Sequence, residues 1–140
     1  MNRANFAAGD ELRPLVVPLT PTRIAAGAIA TGDFEPIHHD RGAAERAGRP
    51  DVFMNILMIN GILQRCVTDW AGPAARIRSI KLRLGAPNVA GDVFTVSGHV
   101  VASGSDGEDL DLVEAELRGT NRYGIAVTAR VCFGFAPTAP

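Results

Sequence analysis

Two features of the sequence predict an α+β domain in which one antiparallel sheet wraps around a single long helix. One is a run of helically spaced apolar residues from about Val52 to Trp70; the other is a series of four segments beyond Gly72-Pro73 in which apolar and polar residues alternate. A third observation sets the domain count. The 140 residues are 46% hydrophobic, which is one domain's length with enough apolar material for a core, so residues 1–140 are expected to form a single domain.

Taken in order, Leu12 to Leu19 reads as a short extended entry, and Thr20-Pro21 supplies an N-cap with proline in the first helical turn. The helix that follows is expected to run to about Ala30, with Ile24, Ala25, Ala28 and Ile29 on one face. Gly32 then stands where a left-handed residue ends the helix. Pro36 biases Glu35 towards extended geometry, Asp40 can cap a short helix through Ala43, Ala44 and Ala47, and Gly48 ends it. In the long helix Ile56, Ile59, Leu63, Cys66, Val67 and Trp70 share a face, while Leu57, Met58 and Ile62 widen the apolar surface almost all round. That pattern predicts a buried helix, about 30 Å long at ~1.5 Å per residue.

The strand segments are Ile80-Leu84, Phe94-Val100, Val113-Leu117 and Ile125-Phe135. Turn residues separate them at Gly85-Ala86-Pro87-Asn88, at Ser103-Gly104-Ser105-Asp106-Gly107 and at Asn121-Arg122-Tyr123-Gly124, so strands adjacent in sequence are expected to pair antiparallel. An antiparallel sheet around one long helix is the hot dog fold. The terminal Ala136-Pro-Thr-Ala-Pro140 is expected to fray.

Charge narrows the function. With 14 Lys+Arg against 15 Asp+Glu the net charge is -1, which provides no basic field for nucleic acid or anionic lipid. Cys66 and Cys132 form no CxxC motif, and the sequence has neither a signal peptide nor an apolar run of membrane-spanning length; a reducing cytoplasm is expected, with both thiols in the core. The basic run Arg76, Arg78, Lys81 and Arg83 reads as a solvated sheet face, or as a contact for a ligand's phosphates, and His99 as a solvent-facing strand residue.

Ionisable chemistry concentrates in Thr31-Gly-Asp-Phe-Glu-Pro-Ile-His-His-Asp40, between two helices. Asp33 and His38, five positions apart around Pro36, can bend together to hold one water molecule as a general acid-base pair. The residues alone leave a second reading open, in which Asp33 caps backbone groups and the histidines are surface loop residues. His38, His39 and Asp40 could in principle ligate metal. Adjacent residues of an extended loop point to opposite sides, however, and no second His or Cys cluster completes a set, so no metal is expected.

The motif "TGDFEPIHHD" resembles the hydratase motif of the MaoC-like family, the (R)-specific enoyl-CoA hydratases and dehydratases, which have the hot dog fold. More narrowly, "DFEPIHHDR", "VFMNIL" and "LQRCVTDWAGPAARIRSIKLRLGAP" are similar to the small MaoC-like subunit of the actinobacterial hydratase acting on steroid side-chain CoA thioesters. The resemblance implies that Asp33 and His38 add water across the α,β double bond of an enoyl thioester, either one being the base. It also implies that the Asn55 backbone N–H, at the start of the long helix, stabilises the enolate oxygen. There Val52-Phe53-Met54-Asn55-Ile56 replaces the family's Ile-x-His-Gly-Met, and Glu35 stands where most members have asparagine. A backbone N–H does not need glycine, and a helix N-terminus favours developing negative charge.

Hydration of an enoyl thioester requires an activated water, a proton for the α-carbon and a site for the carbonyl oxygen, with no metal or organic cofactor. The expected protein is thus an enoyl-CoA hydratase subunit acting on a bulky acyl group. Alternatives are a non-catalytic subunit completing a partner's site, a hot dog acyl-CoA thioesterase and a lipid-binding module. The resemblance implies a second hot dog domain, in a homodimer or in a heterotetramer with a larger subunit.

Overall fold

The structure, a computed structural model, describes residues 6–105 and 111–135. The tail at 136–140 and part of the turn expected around 103–107 lie outside the described residues. One five-stranded antiparallel sheet is present: β1 (Glu11–Leu19), β2 (Arg76–Leu84), β3 (Asp92–Ser105), β4 (Asp111–Asn121) and β5 (Gly124–Phe135), in the spatial order β1-β3-β4-β5-β2. The helices are α1 (Pro21–Ala30), a 3₁₀ turn at Pro36–His38, α2 (Arg41–Arg46) and α3 (Ile56–Ala71). The α+β hot dog architecture is as the alternation pattern predicts, with α3 against the inner face of the sheet.

Period-two burial explains the packing. Phe94, Val96 and Val100 of β3, Val113, Ala115 and Leu117 of β4, and Val127, Ala129, Val131 and Phe133 of β5 turn inward, where they meet Ile59, Ile62, Leu63, Cys66 and Val67 of α3. Each large apolar side chain so enclosed contributes about 1.5–3 kcal/mol. Trp70 is half-buried beside this core, its ring 4.8 Å from that of Phe6.

Four expectations change. Leu12–Leu19 belongs to a full strand, β1, which pairs with β3; its prolines, Pro14 and Pro18, are tolerated because β1 is an edge strand, and the pairing register shifts between Leu12 and Leu15. The turn at Gly85-Asn88 does not close a hairpin. The Gly85 and Ala86 N–H groups continue the β2–β5 pairing, and Asn121 Nδ2 donates to the Pro87 carbonyl, so the chain crosses the sheet's end before entering β3. A turn motif specifies a reversal but not the partner strand.

The long helix begins at Ile56 rather than near Val52, which shortens it to 16 residues, about 24 Å. Val52–Met54 cannot be helical because its backbone groups are engaged by the crossing segment: the Met54 N–H donates to the Asn88 carbonyl, and the Ala90 N–H to that of Val52. Nor is the helix enclosed all round, since Ile56 and Leu57 are about half exposed, and Ile29 of α1 is more exposed still.

Candidate active site

Local sequence brings the loop to the start of α3. Thr20 caps α1 by accepting the Arg23 N–H, and Gly32 ends that helix at φ +69, in the left-handed region. The Asp33 N–H then bonds back to the Ala28 carbonyl at 2.9 Å, directing the following residues across the end of α3. Pro36 begins the 3₁₀ turn that carries His38, and Asp40 caps α2 by accepting the Ala43 N–H. Met58 of α3 packs where a β-carbon on Gly27 of α1 would stand, so these two helices approach closely.

Within this frame Asp33 and His38 meet: His38 Nε2 lies 3.3 Å from Asp33 Oδ2. His38 is 6% exposed, with its ring edge-on to Phe53. Its Nδ1 is 2.7 Å from the Phe53 carbonyl oxygen, which can only accept, so Nδ1 carries a proton. Nε2 therefore faces the carboxylate, and a proton between them makes that contact favourable.

Asn55 closes the arrangement from the helix side. Its Oδ1 accepts the Met58 N–H at 2.9 Å, the N-cap bond of α3, and its Nδ2 donates to Thr31 Oγ1 at 2.8 Å and to Asp33 Oδ2 at 3.0 Å. The hydrogen bond from Asn55 is the chief influence holding the Asp33 carboxyl below its ordinary value. The Glu35 N–H and the nearby imidazole act in the same sense, against partial desolvation. Asn55's side chain thus turns towards Asp33, and the Asn55 backbone N–H has no protein acceptor among the described residues.

The other ionisable loop residues stand apart. His39 and Asp40 are exposed, with Asp40 engaged at the α2 cap, and Glu35 is exposed. His99 and the run Arg76, Arg78, Lys81 and Arg83 are solvent-facing. Sequence reasoning missed three participants: the Phe53 carbonyl, the Thr31 hydroxyl and the Asn55 side-chain amide. Only Asn55 carried a signal, as an N-cap residue ahead of an apolar run; the roles of Phe53 and Thr31 depend on contacts between distant segments.

A family model for the MaoC like domain matches residues 5–121. The chain belongs to the MaoC-like family. A Mycobacterium tuberculosis protein named 3-oxo-4,17-pregnadiene-20-carboxyl-CoA hydratase beta subunit is 50% identical over 111 residues, 79% of this chain and 82% of its own. Among solved structures, the ChsH1-ChsH2 complex from Mycobacterium tuberculosis contains a chain that matches with a TM-score of 0.86 and 45% identity, over 93% of this chain and 98% of that one. The (R)-hydratase from A. caviae involved in PHA biosynthesis matches with a TM-score of 0.84 at 19% identity, over 96% of this chain and 100% of that one, a likeness of fold. None of the helices described is long and apolar enough to cross a membrane.

Proposed function

We propose that this MaoC-like chain is a subunit of an enoyl-CoA hydratase, with Asp33 and His38 as its catalytic pair. The observation that carries the proposal is the 3.3 Å contact between His38 Nε2 and Asp33 Oδ2 beside the start of α3. A water held by both groups loses a proton to the Asp33 carboxylate as its oxygen bonds to the β-carbon. The double-bond electrons move towards the thioester oxygen, where the free Asn55 N–H and the positive end of α3 receive the charge. The proton on His38 Nε2 passes to the α-carbon. Transfer of the new proton from Asp33 Oδ2 to His38 Nε2 across their contact then restores the starting state. The Phe53 carbonyl supports the pairing, because it engages His38 Nδ1 and leaves Nε2 as the ring atom that exchanges a proton with Asp33 and substrate.

The 50% identical relative supports a bulky substrate, a steroid side-chain CoA thioester. The exposed Phe34, Ile56 and Leu57, within two positions of Asp33 or Asn55 in sequence, provide apolar surface for such a group. The ChsH1-ChsH2 match supports a second MaoC-like subunit as partner. Two free cysteines, Cys66 in the core as expected and Cys132 half-buried outside it, contrary to expectation, accord with a reducing cytoplasm. The test is incubation of the chain, alone and co-purified with a larger MaoC-like subunit, with short-chain and steroid-type enoyl-CoA esters. Mass spectrometry is expected to show a gain of one water. Release of free CoA would make the protein a thioesterase instead, and inertness of this chain alone and in complex would end the hydratase assignment.

A further inference from the structure

We infer that the Asn55 side chain is a positioning residue for Asp33, separate from any role of its backbone N–H. The inference rests on the hydratase proposal above and deepens it. The amide's orientation follows from its partners: Oδ1 accepts the Met58 N–H, so Nδ2 must be the end facing Thr31 and Asp33. Both Nδ2 hydrogens are engaged. Thr31 Oγ1, which accepts one of them, lies 2.8 Å from the Gly27 carbonyl and donates its own hydrogen there. A continuous chain therefore runs from the α1 backbone through Thr31 and Asn55 to the carboxylate, anchored at its other end in the first turn of α3. Asn55 is 4% exposed, which shields these bonds from competing water.

The consequence is both geometric and electrostatic. The bond from Asn55 reaches the same oxygen, Oδ2, that faces His38, so it fixes that oxygen's direction and favours its ionised form. Of charged groups, Asp33 meets His38 from the 3₁₀ turn, and Glu35 lies two residues on with its side chain exposed. The flanking ends of α1 and α3 present the neutral Thr31 and Asn55, together with the positive end of the α3 dipole. Loss of the Asn55 donor is expected to make the Asp33–His38 pair hold its protons to higher pH, whichever member is the base.

Two substitutions separate this role from capping. Asn55→Ser keeps an N-cap oxygen but loses the reach to Asp33, and Asn55→Asp keeps size and cap while replacing the donor with a carboxylate oxygen. In the assembled enzyme Asn55→Ser is expected to lower kcat about ten- to hundred-fold, the scale of a lost hydrogen bond to a charged group, with KM little changed. The acid limb of the rate profile should move to higher pH, and Asn55→Asp should move it further. Carbon-13 NMR titration of Asp33 in the same proteins reads the effect without turnover, so it remains decisive if no hydration is found and the functional proposal fails. Should Asn55→Ser fold poorly, the isosteric Asn55→Asp carries the test. An Asp33 titration unchanged in the folded variant, or an unchanged kcat and acid limb, would overturn the inference.

Discussion

Asp33 is held by contacts from three directions: the Glu35 N–H on Oδ1, and both Asn55 Nδ2 and His38 Nε2 on Oδ2. Asp33→Asn and His38→Ala are each expected to lower hydration by about two or more orders of magnitude, the scale for removing an acid-base group, with the circular dichroism of the fold retained. Near-normal turnover of either variant would remove the pair from the mechanism. The depressed value of Asp33 also sets a sign for stability. A carboxylate that folding makes more acidic stabilises the protein above its unfolded value of about 4, and that contribution is lost as pH falls through the lower folded value. Asp33→Asn should therefore flatten the acid side of the stability profile, which denaturation at several pH values measures. Cys66 presents the opposite case, since burial pushes its thiol up to about 11. In the native protein a maleimide should label Cys132 well before Cys66, and equal rates would contradict the buried placement.

At the scale of elements, α3 and the strands meet through positions that tolerate little change. A β-carbon on Gly119 of β4 would lie 2.4 Å from the Phe94 ring and 2.7 Å from Val127, both fully buried and without room to retreat. Gly119→Ala is expected to cost about 1–3 kcal/mol, the range for overpacking, read as a lower urea midpoint. An unchanged midpoint would mean that the sheet accommodates a methyl group there. The alternation of Phe94, Val96 and Val100, or of Val127, Ala129 and Val131, announces strands without help from neighbours, because side chains of a strand point alternately to core and solvent. The start of α3, by contrast, is not set by local pattern. Val52 and Met54 are apolar and buried, but two positions apart they share the face of an extended segment and not of a helix, and the crossing segment Asn88–Ala90 draws their backbone into extended pairing.

For the whole molecule, the two sheet edges differ. Both carry a register shift, but on β1 Pro14 and Pro18 offer no N–H, whereas β2 contains no proline and has an exposed Leu84 and partly exposed Ile77, Ile80 and Leu82. A second hot dog domain is therefore expected along β2, giving a dimer of domains at minimum. Two copies of β2 would bring Arg76, Arg78, Lys81 and Arg83 of each near one another, which disfavours self-pairing at low salt. Sedimentation of the chain alone should show a homodimer that strengthens with added salt, and co-expression with a larger MaoC-like subunit should give a mixed assembly. A stable, active monomer would refute the pairing.

By itself the sequence determined the hot dog class and offered the pairing of Asp33 with His38 as one of two readings of the loop. Core periodicity is local, and the Asp33-to-His38 spacing is set within one loop by Gly32 and Pro36. Tertiary structure alone decided that β2 pairs with β5, that Phe53 holds the His38 proton on Nδ1, and that Asn55 grips Asp33. Strand pairing uses backbone groups that every residue carries, and a hydrogen bond between residues 22 apart depends on how two helix ends are packed, so neither leaves a pattern along the chain.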